Sequence, residues 1–207
     1  MIIRQANYDD LRDIARVHAK CFPEYLSTRI GAGNDCYLLS RFYKEYLDDS
    51  PELFLVLEDE QKKIVGFCMG YYMDKTGQQA RYMKNNRLKV YSRIAYLLVK
   101  RDRLAWAKMK MKFKKPEYVI LNPILDGVPN TQIGDMLSVC VLPDLRGKGL
   151  SKQMSLQFID NMKKAGRKYC LVSTNVNNMR AIHFYEKNGF QPWRTIGKSS
   201  ITFAKKL

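Results

Sequence analysis

The stretch VLPDLRGKGLSKQM, Val141 to Met154, switches from one hydrophobic period to another within a few residues. The strand pattern DMLSVCVL (135–142) ends at Pro143, and the helical pattern GLSKQMSLQFIDNMKKAG (149–166) follows almost at once. Gly147 and Gly149 allow backbone angles closed to other residues and let a ligand approach the main-chain N–H groups closely. Those groups open a helix, where the macrodipole also favours negative charge, so the turn is shaped for an anion. Two familiar phosphate motifs do not fit it. A dinucleotide fingerprint needs a third glycine where Lys152 stands, and a P-loop needs its lysine after the second glycine, whereas Lys148 lies between the two.

Working outward, IIRQA (2–6) reads as a strand. YDDLRDIARVHAKCF (8–22) places Leu11, Ile14, Ala15, Val17 and His18 at helical spacing, with Asn7 as the expected cap. CYLLSRFYKEYL (36–47) repeats the amphipathic pattern, and ELFLVLED (52–59) and KIVGFCMGYYM (63–73) read as two strands across a polar turn. EYVIL (117–121) reads as a strand. After the anion turn come a strand KYCLVSTN (168–175), a helix NMRAIHFYEKNG (178–189) and a closing strand in SSITFAKK (199–206). This order predicts one α/β domain over residues 1–207 with a single sheet, in which 135–174 forms a parallel right-handed crossover. At 207 residues a second full domain would be a squeeze.

Net charge is +16, and it is uneven. Residues 75–115 hold 14 Lys or Arg against one acid, Asp102, while the rest of the chain carries 22 basic and 19 acidic side chains. One segment makes the protein basic. Val90, Ile94, Leu97, Leu98 and Leu104 fit a helix there, whereas KMKMKFKK (108–115) alternates and suits a strand or a helix end. Its charge suits a solvated helix whose apolar stripe docks on the sheet, a field that gathers anionic acceptors, or a membrane-surface helix. YMKNNRLKVYSRIAY (82–96) interleaves aromatics with cations, but no base-reading motif accompanies it, so specific nucleic-acid binding is not expected.

No apolar run approaches the roughly 18 residues of a membrane span, and the first residues lack a signal-peptide pattern. Cys21, Cys36, Cys68, Cys140 and Cys170 are odd in number and scattered, without a C-x-x-C pair. That pattern favours a reducing cytoplasm over a disulfide framework or structural zinc, and two distant histidines suggest no metal site.

Val141-Leu142-Pro143 followed by Asp144-Leu145-Arg146-Gly147-Lys148-Gly149 resembles the GNAT superfamily of acyl-CoA N-acyltransferases, whose signature is Q/R-x-x-G-x-G/A after a V-x-P strand. Asp144 stands where the family has Gln or Arg. A second stretch, NVNNMRAIHFYEKNGF, resembles the family's N-x-x-A-x-x-x-Y-x-x-x-G-F, with Asn178, Ala181, Tyr185, Gly189 and Phe190 in register. The resemblance covers most of the chain outside about 75–130. It implies a GNAT-like domain, with a central mixed, mostly antiparallel sheet flanked by helices and a basic helical insertion at about 75–130.

The resemblance further implies that an amine attacks the thioester of acetyl-CoA directly, with acetyl-CoA as co-substrate and no metal. Arg146, Gly147, Lys148, Gly149, Leu150 and Ser151 would cradle the diphosphate, and Asn178 would meet the pantetheine arm. A backbone N–H among Val139, Cys140 and Val141 would polarise the acetyl carbonyl, and Tyr185 would protonate the departing thiolate. The base is less settled. Some relatives carry a Glu where this chain has Ser173, and others place a carboxylate earlier on the preceding strand, which suits Asp135. Strict alternation puts Asp135, Leu137, Val139 and Val141 on one face. Asp135 is equally readable as a strand-entry residue after Gly134, in which case water replaces it. A lone Cys140 in an apolar strand reads as packing, His18 as a helix residue at the core edge, and His183 as pointing off the face of Tyr185.

These readings lead to an N-acetyltransferase acting on a primary amine of a small acceptor, such as an anionic, nucleotide-linked amino sugar. CFPEYLSTRIG (21–31) resembles small acetyltransferases of polysaccharide assembly. The alternatives are a protein or peptide N-acetyltransferase, or a non-catalytic module that binds nucleic acid or anionic membrane through the basic segment. A homodimer is compatible with the sequence.

Overall fold

The computed structural model describes residues 1–31, 33–111 and 117–207. In chain order the strands are β1 (Ile2–Gln5), β2 (Phe54–Glu58), β3 (Ile64–Tyr72), β4 (Tyr118–Ile120), β5 (Ile133–Val141), β6 (Tyr169–Asn175), β7 (Gln191–Ile196) and β8 (Ser200–Lys206). The helices are α1 (Leu11–Cys21), α2 (Leu26–Gly31), α3 (Gly33–Asp49), α4 (Gln78–Val99), α5 (Arg103–Met111), α6 (Leu150–Lys164) and α7 (Met179–Lys187). The strands form one sheet in the order β1-β2-β3-β5-β6-β8-β7-β4. Every neighbouring pair is antiparallel except β5 and β6.

Helices cover both faces at the centre of this sheet, which is why β2 and β3 read as almost continuous apolar runs. On one face Phe54, Val56, Phe67 and Met69 pack with Ile14 of α1 and Tyr43 of α3. On the other, Leu55, Leu57, Cys68 and Met136 pack with Met154, Phe158 and Met162 of α6. Asn7 does not cap α1 itself. Its Oδ1 accepts from the N–H groups of Asp9 and Asp10 and closes the turn that leads into the helix.

β7 has no counterpart in the sequence reading. Pro192 and Arg194 interrupt its pattern, and its pairing with β8 is irregular between those two residues. The basic helix runs as two pieces, because the chain turns at Lys100–Asp102 with Arg101 at positive φ. Asp102, the lone acid of the segment, accepts from the N–H groups of Leu104 and Ala105 at the start of α5 and pairs with Arg29 at 3.1 Å. α4 docks on α3 and α2 rather than on the sheet, and Glu45 and Asp49 of α3 hold Arg81. The alternating KMKMKFKK enters α5 as far as Met111; residues 112–116 lie outside the described residues.

One irregularity in β5 opens a gap in the sheet. β3 and β5 lose register between Met69 and Gly70, so that Met69 faces Ser138 while Gly70 faces Met136, and Leu137 is the extra residue of a bulge. Gly70 is required there, since a Cβ would lie 2.0 Å from the carbonyl oxygen of Asp135. Past this bulge β5 parts from β6. The two pair only over Ile133–Met136 and Tyr169–Val172. Ser138–Val141 then pair with β3 alone, and Ser173–Asn175 with β8 alone, which leaves a wedge-shaped slot between parallel strands.

Candidate active site

The slot opens into a cleft of about 1410 Å³. That exceeds the usual range of roughly 300–1,000 Å³ for a single small ligand, so it has room for two substrates side by side. Val139, Val141, Arg146 and Ser151 line it from the β5 side, and Ser173, Asn178 and Tyr185 from the β6 side.

At its mouth the chain makes a short 3-10 turn, Pro143–Leu145, and then enters α6 through Arg146, Gly147, Lys148 and Gly149. Gly147 and Gly149 have φ of 82° and 76°, and a Cβ at either would meet nothing within 4 Å. The glycines are there for backbone angle, not for space. The result is a row of amides at the head of a 15-residue helix. Among the described residues, no main-chain carbonyl accepts from the N–H groups of Gly147 to Lys152. Row and helix dipole together suit an anion with several oxygens.

Along β5, the N–H of Leu142 bonds Val65 of β3. Alternation in an antiparallel ladder therefore turns the amides of Val139 and Val141 away from β3, toward the slot. On the opposite wall Asn178 is the N-cap of α7; its Oδ1 accepts from the N–H of Ala181 at 3.2 Å, which leaves its amide NH₂ for a ligand. Tyr185 lies two turns along α7, packed against Phe184, Phe190 and Phe203. Burial pushes its hydroxyl well above the usual tyrosine range, so it stays protonated and able to donate. His183 is exposed and not part of the wall.

Asp135 departs from the sequence reading. The bulge at Leu137 shifts the alternation, so Asp135, Leu137, Val139 and Val141 do not share a face. Val139 and Val141 pack toward α6, whereas Asp135 faces Tyr71 on the α3 side. It is not in the cleft wall. Tyr71 donates to its Oδ2 at 3.5 Å, and its Oδ1 is buried with no partner among the described residues. Burial raises its pKa to about 6, opposed in part by the Tyr71 hydrogen bond and the charge of Arg194. Tyr71 in turn lines a smaller pocket of about 480 Å³, which shares Gln79 and Met83 with the main cleft.

Several wall residues were not legible from their motifs. His18 bonds Tyr43 through Nδ1 and Thr28 through Nε2, at 2.9 Å for the latter. Burial lowers its pKa to about 4, so it is neutral. Cys21 donates to the carbonyl of Val141 at 3.3 Å. A hydrogen bond from Cys140 and the charge of Arg146 draw its thiol pKa down against burial. Beyond these lies a chamber walled by α2, α3 and α4, with Phe22, Tyr25, Phe42, Tyr82 and Val90 among its residues. Among the described residues, no lysine or arginine of residues 75–115 lines it. The only sequence signal for these residues was helical spacing, which cannot say which helices meet.

The family model for the acetyltransferase (GNAT) domain matches residues 114–192, from before β4 into β7. An uncharacterised N-acetyltransferase of Methanocaldococcus jannaschii is 27% identical over 172 residues, covering 83% of this chain and 67% of that protein. Both matches support the GNAT superfamily for this chain. The GNAT fold extends over its whole length: the PaiA N-acetyltransferase of Thermoplasma acidophilum, solved with coenzyme A, aligns over 100% of this chain and 98% of its own at a TM-score of 0.56 and 16% identity. Naa20 of Chaetomium thermophilum, solved with a bisubstrate analogue, aligns over 100% and 87% at the same TM-score and identity. The acetyltransferase-domain match and the N-acetyltransferase relative support an acetyl-CoA-dependent N-acetyltransferase. Among the described residues no group of side chains could hold a metal ion, and no helix is long and apolar enough to cross a membrane.

Proposed function

We propose that this GNAT enzyme acetylates the primary amine of a small, ring-bearing acceptor, such as a nucleotide-linked amino sugar, which enters through the aromatic chamber. The observation that carries the reading is the amide row of Gly147 to Lys152 at the mouth of a slot that has Tyr185 in its wall. Arg146 through Ser151 hold the coenzyme diphosphate, and Asn178 donates its amide to the pantetheine arm. The thioester lies along Val139–Val141, where an N–H of Val139 or Val141 binds the carbonyl oxygen as it gains negative charge. The amine nitrogen attacks the carbonyl carbon, the C–S bond breaks, and Tyr185 gives its proton to the sulfur. Asp135 takes the amine's proton by way of Tyr71 and the smaller pocket. Because a thiol of pKa about 8.5 is already a fair leaving group, Tyr185 contributes only part of the acceleration.

The chamber supports a small acceptor with a flat or apolar body, since Phe22, Tyr25, Phe42 and Tyr82 offer ring faces and edges. An extended polypeptide needs an open groove, whereas α2, α3 and α4 wall this space. The test is release of free thiol from acetyl-CoA across aromatic amines, polyamines, peptide N-termini and amino-sugar nucleotides, with the acetylated product identified by mass. Turnover confined to ring-bearing small amines supports the reading. A preference for peptides overturns the acceptor class, and absence of any acetyl-CoA thermal shift or thiol release overturns the enzyme assignment.

A further inference from the structure

We propose that the outer face of α4 docks the protein on an anionic lipid bilayer. The proposal stands apart from the acceptor reading, because none of its residues lines the cleft. α4 is apolar on two opposite faces. The inner one, with Tyr82, Val90 and Leu97, is buried against the protein. The outer one carries Leu88, Tyr91, Ala95 and Val99 at spacings of three, four and four, which places them in a single stripe. Leu88 is 86% exposed and Val99 81% exposed. Aliphatic side chains so fully in water, in line with each other, gain nothing from the fold that presents them.

The surroundings of the stripe identify its occupant. Lys84 and Arg87 lie beside it, and α4 itself contains no acidic residue, whereas Lys89 reaches over the Tyr37 ring of α3 at 4.1 Å. Arg87 lies over the Tyr91 ring at 5.8 Å, so this cation sits beside the apolar row rather than away from it. Beyond the helix end, the exposed Trp106 donates its ring N–H to the carbonyl of Leu98, which fixes an indole beside the last turn. A second copy of the chain would bring the same cations against them, and charge repulsion opposes that pairing. Nucleic acid would satisfy the cations but offers nothing to Leu88 and Val99. An anionic bilayer satisfies both: aliphatic side chains enter the headgroup–acyl boundary, cations meet lipid phosphates, and tryptophan prefers that depth. Docked this way, α4 lies flat on the bilayer with its inner face still walling the chamber.

The experiment is co-sedimentation of the full chain with vesicles of phosphatidylglycerol and phosphatidylcholine, against vesicles of phosphatidylcholine alone. Binding to the anionic vesicles that weakens with salt is expected, with little binding to the neutral ones. The double variant Leu88→Ser/Val99→Ser keeps every charge and should lose roughly tenfold or more in partitioning. Lys84→Gln/Arg87→Gln should lose a comparable factor, roughly 25-fold, since each charge near the surface counts for roughly fivefold. Both variants should keep the circular dichroism spectrum and the acetyl-CoA thermal shift of the parent in vesicle-free buffer, which separates lost docking from lost folding. Failure to bind anionic vesicles overturns the proposal. So does unchanged binding by Leu88→Ser/Val99→Ser, or tighter binding to duplex DNA or to an acidic protein at equal salt.

Discussion

Tyr71 and Asp135 face each other across β3 and β5, with the phenol donating to the carboxylate at 3.5 Å on the α3 side of the sheet. Further along β5, Val139 and Val141, which should follow Asp135, point to α6 instead, because the bulge at Leu137 inserts one residue into the alternation. The same insertion separates β5 from β6. Opening the slot and removing Asp135 from its wall are therefore one structural event.

The stability of the protein should reflect two buried groups with opposite proton linkage. Asp135 is raised from 3.8 to about 6, so its penalty is absent below about pH 4 and fully present above about pH 6. His18 is lowered from 6.5 to about 4, so its penalty is absent above about pH 6.5 and grows as pH falls toward 4. Each shift corresponds to something on the order of 2–3 kcal/mol, and over the same window the two cancel. Urea titrations should find the parent nearly flat between about pH 4 and 6.5. Asp135→Asn should be more stable than the parent above pH 6, equal to it near pH 4, and steeply pH-dependent between. A parallel offset at all pH values would show that Asp135 does not titrate in this range.

The fold was legible in the sequence wherever period and punctuation agree. The Gly147–Gly149 turn, the parallel strand–helix–strand unit and the strands β2 and β3 follow from apolar runs bounded by glycine, proline and polar turns. β7 escaped because Pro192 and Arg194 break its alternation, and it is held by pairing with β8 and β4 rather than by its own pattern. The bulge escaped because Gly70 and Leu137, which make it, are far apart in sequence. The chamber escaped for the same reason: His18, Tyr43 and Cys140 belong to three elements, and no local spacing announces their meeting.

Tyr185→Phe should lower turnover by about 10-fold to 10³-fold and leave acetyl-CoA affinity nearly unchanged, since the ring's packing against Phe190 and Phe203 survives. Because burial holds the phenol far above its usual range, the parent should show no loss of rate from Tyr185 ionisation through mildly alkaline pH. Pre-steady-state thiol release at saturating acceptor measures the chemical step directly. Equal rates for the two proteins would remove the hydroxyl from catalysis.

Gly149→Ala tests the amide row. At φ 76° the alanine meets no neighbour, so its cost is backbone strain of about 1–2 kcal/mol. A loop that relaxes to relieve this strain misaligns its N–H groups. The KM for acetyl-CoA should rise more than tenfold while the acceptor's changes little. A lower melting temperature with both KM values unchanged would show that the turn is structural only.

Cys21 should be the reactive thiol. Cys68, Cys140 and Cys170 have pKa values raised by burial, whereas Cys21 is half-buried at the cleft wall, with its pKa lowered by Cys140 and Arg146. Maleimide at neutral pH should label Cys21 ahead of those three thiols, as peptide mapping would show. Coenzyme A should slow the labelling if, as proposed, its diphosphate draws on Arg146 and its arm fills the slot. Labelling unaffected by millimolar coenzyme A would move the coenzyme away from Val141 and Cys21.

The chamber makes the last prediction, and it divides α4 between its two faces. Tyr82→Ala and Val90→Ala remove buried wall, so they should raise the acceptor's KM several-fold or change which amine is preferred, with the coenzyme's KM within about twofold. Large-to-small changes at buried sites also cost stability, about 2–5 kcal/mol for the larger side chains, so rates need comparison well below the melting temperature. Lys84→Gln and Arg87→Gln on the other face should leave the KM for a soluble acceptor where it was. If it rises, the basic segment gathers the acceptor by long-range attraction, and that rise should shrink at high salt, where the Debye length falls to about 3 Å at 1 M.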